Sequence, residues 1–128
     1  MNDEPTLELL IRIVGSIKPR RIEGELQAAI AGKLAAHGIA FAREARLDSK
    51  SRLDFKIEIG AEVICLETKV TGASSPATER QLLRYAMTKK IDRIILVTTK
   101  PIRLRSEAFV IGEKIIPVQI VNIALNSL

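Results

Sequence analysis

The run Val63-Ile64-Cys65-Leu66-Glu67-Thr68-Lys69-Val70 constrains the fold more than any other segment. As far as Leu66 it is apolar on both faces of an extended chain. Successive side chains of a strand point to opposite sides, so this strand needs cover on both. The centre of a sheet between two layers of helices supplies that cover. Glu67 and Lys69 then break the apolar pattern. They are two residues apart and project from one face. Burying two charges there is costly unless they are paired or bind something charged.

The remaining elements can be read around this strand. A chain of 128 residues makes one domain, residues 1–128, and 47% apolar residues fill one core. Residues 6–17 place Leu7, Leu10, Ile11, Val14 and Ile17 on one helical face, with Pro5 ahead and Gly15 and Pro19 as stops. This N-terminal helix, within 1–18, either caps the core or docks on a second subunit. Residues 20–37 form a second helix, with Ile22, Leu26, Ile30 and Leu34 every fourth residue and Gly38 as its cap. Residues 39–47 read as a strand, and Asp48 to Ser51 as a turn. In the next strand Leu53, Phe55, Ile57 and Ile59 are expected on one face, with Asp54, Lys56 and Glu58 on the other. Gly60-Ala61 turns the chain into the strand from Val63 to Val70.

A polar loop spans 71–76. A third helix over 76–90 has Leu82, Leu83, Ala86 and Met87 as its stripe, and residues 93–99 form an apolar strand. Residues 106–112 carry no clear period. Residues 115–123 read as a last strand, and 124–128 as a short helix or a frayed end. The order is α-α-β-β-β-α-β-β. Three antiparallel strands lead through a crossover helix to a parallel one. The fold class is α/β, a mixed five-stranded sheet flanked by helices.

Composition narrows the function classes. The formal net charge of +5 favours a polyanionic partner, nucleic acid or an anionic membrane surface, over an uncharged one, although a merely basic soluble protein has the same balance. Aromatics at 3%, with no Trp, weaken binding of single strands by stacking. The one cysteine, Cys65, lies in the apolar run, and the one histidine, His37, ends a helix elsewhere. Cys65 is expected to be a reduced core residue, and the chain an intracellular, cytoplasmic protein. No apolar run approaches the ~18 residues of a membrane-spanning helix. The start Met1-Asn2-Asp3-Glu4-Pro5 is acidic, unlike a signal peptide. No membrane partner is expected.

Counting back from Gly60-Ala61 sets Asp54 opposite Glu67. Two carboxylates and the Lys69 ammonium then converge on one sheet face. Carboxylate oxygens suit a hard cation such as Mg²⁺, which polarises a phosphate and acidifies a bound water. A neighbouring lysine stabilises the charge that develops. The Thr68 backbone carbonyl adds a third oxygen. The alternative is an exposed Glu67–Lys69 edge pair with a solvated Asp54, and the apolar frame argues against it.

Asp54, twelve intervening residues, then Glu67-Thr68-Lys69 resembles the core of the PD-(D/E)XK nuclease superfamily. Ser51-Arg52-Leu53-Asp54-Phe55 resembles the Asp-Phe strand of phage-type and Holliday-junction-resolvase-like members. Leu53 stands where the superfamily name has proline. The resemblance spans residues 20–100, including the order helix, three-strand meander, helix, strand. It implies a restriction-endonuclease-like core and a Mg²⁺-dependent endonuclease that hydrolyses DNA, branched or nicked, with Mn²⁺ as a substitute cation. Asp54, Glu67 and the Thr68 carbonyl would hold the metal, and Lys69 would assist attack. The resemblance also implies a glutamate on the first core helix, matched by Glu25, and a glutamine on the helix after the lysine strand, matched by Gln81.

Glu25 has the small residues Ala29 and Gly32 four and seven positions on, beside the apolar stripe. A plain first-turn glutamate favoured by the helix dipole is an equal reading. Glu23 sits further round the helix. Gln81 adjoins Leu82 and the buried stripe. Glu44 either faces the site or pairs with Arg46, and the second is favoured. Arg43, Arg46, Lys50 and Arg52 flank the site hairpin, and Arg80 and Arg84 lie one turn apart beside Gln81. These are the candidate DNA contacts. Further bases run from Lys89 to Arg105. A homodimer is expected, since cutting both strands needs two sites. The competing reading is a non-catalytic nucleic-acid-binding domain that keeps the nuclease fold.

Overall fold

Thr6 begins the first helix. Its hydroxyl accepts a 3.1 Å hydrogen bond from the Leu9 amide, the usual N-cap arrangement. The computed structural model describes residues 4–70 and 75–124. Helix α1 (Leu7–Gly15) buries Leu10, Ile13 and Val14. Helix α2 (Glu23–Ala36) buries Leu26, Ile30 and Leu34 at the expected spacing and ends at His37. Its start lies three residues later than expected. Ile22 is the extended N-cap residue and is exposed, so it is not part of the stripe.

The strands are β1 (Phe41–Arg46), β2 (Arg52–Ile59), β3 (Glu62–Lys69), β4 (Arg93–Thr98), β5 (Ala108–Ile111) and β6 (Lys114–Asn122), with α3 (Ser75–Met87) between β3 and β4. They form one six-stranded sheet in the order β1-β2-β3-β4-β6-β5. The first three strands are antiparallel, β3–β4 and β4–β6 are parallel, and β5 folds back antiparallel on β6. The expectation of five strands is corrected to six. The extra strand comes from the segment without a clear period. It is only four residues long, too short for alternation to register, and the pairing of buried Phe109 with Ile116 holds it on β6.

Each face of the sheet has its own core. Phe55, Ile57, Ile64, Leu66, Ile95 and Val97 pack beneath α1 and α2. Cys65, Ile94 and Leu96 pack on the other side, with Leu82, Tyr85 and Ala86 of α3. The apolar face of α1 packs on its own core. In α3 Leu82 and Ala86 are buried as expected. Leu83 and Met87 are exposed, and Thr78 and Tyr85 complete the stripe. Residues 71–74 of the expected loop and 125–128 at the expected C-terminal helix lie outside the described residues.

One feature of β2 departs from simple alternation. Leu53 packs in the α3 core whereas Phe55 and Ile57 pack in the α1/α2 core. They do not share a face. The side switches at Asp54, where two ladders are interrupted. Pairing of β2 with β3 ends at Phe55↔Leu66. Pairing of β1 with β2 skips from Arg43↔Phe55 to Ala45↔Leu53, leaving Glu44 and Asp54 unpaired, and Glu44 has a left-handed backbone at φ 51°. A local kink thus aims Asp54 into the gap between β2 and β3.

The hairpin turn joining β2 to β3 places Gly60 at φ 59°. Gly60→Ala should lower stability by about 1 kcal/mol, the cost of a left-handed alanine. Gly32 lies inside α2, where an added Cβ meets nothing within 4 Å. Gly32→Ala should raise stability by up to about 1 kcal/mol. Urea midpoints of the two variants should move in opposite directions.

Candidate active site

Beyond Phe55↔Leu66 the two carboxylates take over from the β2–β3 ladder. The Asp54 amide donates to Glu67 Oε1 at 2.7 Å. In return, the Thr68 amide and hydroxyl both donate to Asp54 Oδ2, each at 2.9 Å. Each acid thus accepts from the backbone of the other strand. The crossed pair holds the two strands together beyond their ladder and fixes both side chains.

Parity along β3 places Glu67 and Lys69 on the α3 face and Thr68 on the α2 face. In an antiparallel ladder a residue's N–H and C=O point to the same side. Since the Thr68 amide points at Asp54, its carbonyl opens toward the same gap.

Glu67 is 2% exposed. Burial, reinforced by the charge of Asp54, raises its pKa to about 8, against the opposing pull of the Asp54 amide and of Lys69. Glu23 adds to the rise, and its own pKa is raised, by burial first and by Asp54 second, while Lys69 and the Thr68 hydroxyl lower it. Glu23 is exposed as a whole residue, yet its carboxyl sits in the field of the site. The first-helix acid at the site is therefore Glu23. Glu25 is exposed and has no contact with Asp54, Glu67 or Lys69 among the described residues. The late start of α2 explains the exchange. With Ile22 outside the helix, Glu23 becomes the first helical residue, facing the end of β3.

Gln27, one turn on from Glu23, was not singled out from the sequence. Its Nε2 donates to the Thr68 hydroxyl at 3.0 Å, and its Oε1 accepts from Arg43 Nη2 at 3.3 Å. Arg43 also lies 5.5 Å over the Phe55 ring. A chain of contacts thus runs Arg43–Gln27–Thr68–Asp54. Its sequence signal was a polar residue directly following buried Leu26.

Gln81 reaches the site at one remove. Its Nε2 donates to the Tyr85 hydroxyl at 2.8 Å, and that hydroxyl donates to the Arg52 carbonyl at 3.0 Å. Burial, then the charge of Glu67, holds the Tyr85 pKa above its usual value, so it stays a neutral donor. Arg84 lies 5.8 Å over the Tyr85 ring.

The other expected contacts are more scattered. Arg46 donates to the Ser49 carbonyl at 3.4 Å, and among the described residues no ion pair joins it to exposed Glu44. Lys50 and the Arg52 side chain are exposed near the hairpin, and Arg80 lines a separate cavity. Cys65 is fully buried, and burial holds its thiol protonated well above the usual range, as an inert core group.

The Asp54 and Glu67 carboxylates, joined by crossed hydrogen bonds, and the Thr68 carbonyl are oxygen donors of the kind a hard divalent cation takes. Among the described residues no group of three or more His, Cys, Asp or Glu closes around one point. The set on offer is the Asp54–Glu67 pair, with the Thr68 carbonyl.

No family model matches the chain, and no curated protein does. Among solved structures, a protein of unknown function from Silicibacter pomeroyi is similar over 51% of this chain, at 20% identity and a TM-score of 0.38. The chain spans 43% of that protein's length. Among the described residues no helix is long and apolar enough to cross a membrane.

Proposed function

We infer that the chain is a metal-dependent DNA endonuclease of the PD-(D/E)XK type, with a restriction-endonuclease-like core formed by α2, β1–β3, α3 and β4. The observation that carries this reading is the crossed Asp54–Glu67 pair beside Lys69, in the gap where β2 and β3 part. Such a costly placement of charge in an apolar sheet has a purpose if the acids hold a cation and the lysine faces a phosphate.

In this reading Asp54, Glu67 and the Thr68 carbonyl hold Mg²⁺, or Mn²⁺ in its place. When bound, the cation supplies Lewis-acid polarisation of the phosphodiester. Lys69 lies on the same face as Glu67 and stabilises charge gathering on the phosphate oxygens. Glu23, whose carboxyl lies in the field of Asp54 and Lys69, would orient water there. Gln27 and Thr68 hold the Asp54 carboxylate in its rotamer. Arg43, Arg52 and Arg84 border the site and neutralise the DNA backbone. A homodimer would carry two such centres, and exposed Val110 and Ile115, paired across the β5–β6 hairpin, offer it an apolar contact.

The test is cleavage of supercoiled plasmid and of a four-way junction, with Mg²⁺ or with EDTA. Cleavage with Mg²⁺ alone supports the reading. Salt-sensitive binding without cleavage in any divalent cation supports the non-catalytic alternative. Between the two helix acids, Glu23→Gln should slow cleavage about tenfold or more at limiting Mg²⁺, whereas Glu25→Gln should leave it unchanged. Equal effects would remove Glu23 from the site.

A further inference from the structure

A second basic feature lies apart from the carboxylates. Ser75, Pro76, Glu79 and Arg80 of α3, with Arg103 and Arg105 of the segment after β4, line a cavity of about 320 Å³. At roughly 30 Å³ per water, this is room for a phosphate group and several waters. Among the described residues three arginines line it and one acidic residue.

That carboxylate is already engaged. Glu79 Oε1 accepts from the backbone amides of Arg105 and Ser106. The Arg103 amide in turn donates to the Ser75 hydroxyl at 3.2 Å. The segment is therefore anchored to α3 through its backbone, and the arginine side chains are left over. Among the described residues none of the three forms an ion pair. Three arginines line one cavity, and the one acid that lines it among the described residues is spent on amides, a set that matches an oxyanion accepting bidentate bonds.

The location also fits. β3 and β4 are parallel and end at Lys69 and Thr98. The cavity is lined by residues of the elements that follow them in the chain, α3 and the segment after β4. Ligands of open α/β sheets bind at the carboxyl ends of the strands.

We propose that the Arg80–Arg103–Arg105 cavity is a phosphate subsite that grips one backbone phosphodiester of a polynucleotide whose neighbouring segment lies over Asp54, Glu67 and Lys69. This rests on the nucleic-acid reading above but not on cleavage. The arginines fix the register of the strand, and they read no base.

The test uses the metal-free protein and an Arg103→Gln/Arg105→Gln variant, which keeps both backbone anchors. Inorganic phosphate is titrated at constant ionic strength, and the backbone amides of residues 103 and 105 are followed by NMR. A short labelled duplex is titrated in EDTA at several NaCl concentrations. The expected result is saturable amide shifts in the parent protein that vanish in the variant. Duplex affinity should fall about tenfold, and the salt dependence of log K should flatten by about one. Phosphate shifts with unchanged duplex binding in the variant would reassign the cavity to a free phosphate and overturn the polynucleotide assignment. Absent shifts with unchanged duplex binding would overturn the subsite altogether. Matching melting curves confirm that the variant folds. Parent protein that binds through the cavity but cuts no DNA with Mg²⁺ would refute the hydrolytic reading and leave the subsite standing.

Discussion

Lys69→Ala should reduce DNA cleavage by about 10²- to 10³-fold, the usual loss when one donor to developing charge is removed from a dry site. The side chain is half-buried at the end of β3, opposite Thr98, and shares its face with Glu67. It forms no ion pair among the described residues, so its removal breaks no structural bond. Folding and duplex binding should therefore survive, and the loss should fall on the chemical step. Asp54→Ala should be equally inactive for a different reason and at a structural cost. It deprives the Thr68 amide and hydroxyl of their acceptor, which destabilises the chain by about 1–3 kcal/mol. Asp54→Asn keeps an acceptor oxygen and separates the two effects. It should fold nearly as well as the parent and still fail to cleave. Single-turnover nicking of plasmid, run beside thermal melts, reads both quantities. A Lys69→Ala protein that cuts at the parental rate would sink the mechanism.

The layered α/β class was legible because β3 and β4 are apolar on both faces, and only a sheet covered on both sides accepts such strands. The opposition of Asp54 and Glu67 was legible too, since a two-residue turn at Gly60-Ala61 leaves one register. What stayed hidden lies where regular periods stop. The switch of faces at Asp54 depends on the unpaired Glu44–Asp54 position and the left-handed Glu44, and strict alternation does not anticipate it. The preference for Glu25 over Glu23 turned on the first residue of α2, and helix ends are where sequence patterns are weakest. Gln27 escaped notice because its meaning comes from Thr68, forty-one positions away in the chain. Strand β5 was too short to show a pattern. The local rules failed around the charged pair, where a site needs geometry that regular elements do not provide.

The chain should lose stability in EDTA as the pH rises from about 5 to about 8, and Glu67 should be the cause. Its carboxyl ordinarily titrates near 4.5, and burial beside Asp54 raises it to about 8 in the folded state. Across that window the folded protein keeps the Glu67 proton and the unfolded chain has released it. Stability therefore falls with pH wherever the native state binds more protons. The contribution is fully present below about pH 4.5 and is lost by the time the pH passes 8. A shift of this size corresponds to roughly 3–5 kcal/mol, on the order of 10 °C in melting temperature for a chain of this length. Glu67→Gln stays neutral at every pH and can still accept from the Asp54 amide. It should flatten the profile and melt above the parent protein at pH 8.5. Adding Mg²⁺ at pH 8.5 should restore the parent, because a cation between the carboxylates favours the ionised pair that burial disfavours. The same addition should leave Glu67→Gln nearly unchanged. A parent whose melting temperature is flat from pH 5 to 8.5 in EDTA would mean that water reaches Glu67 freely. The acids would then not be held in the dry, mutually repelling state that makes them a cation site.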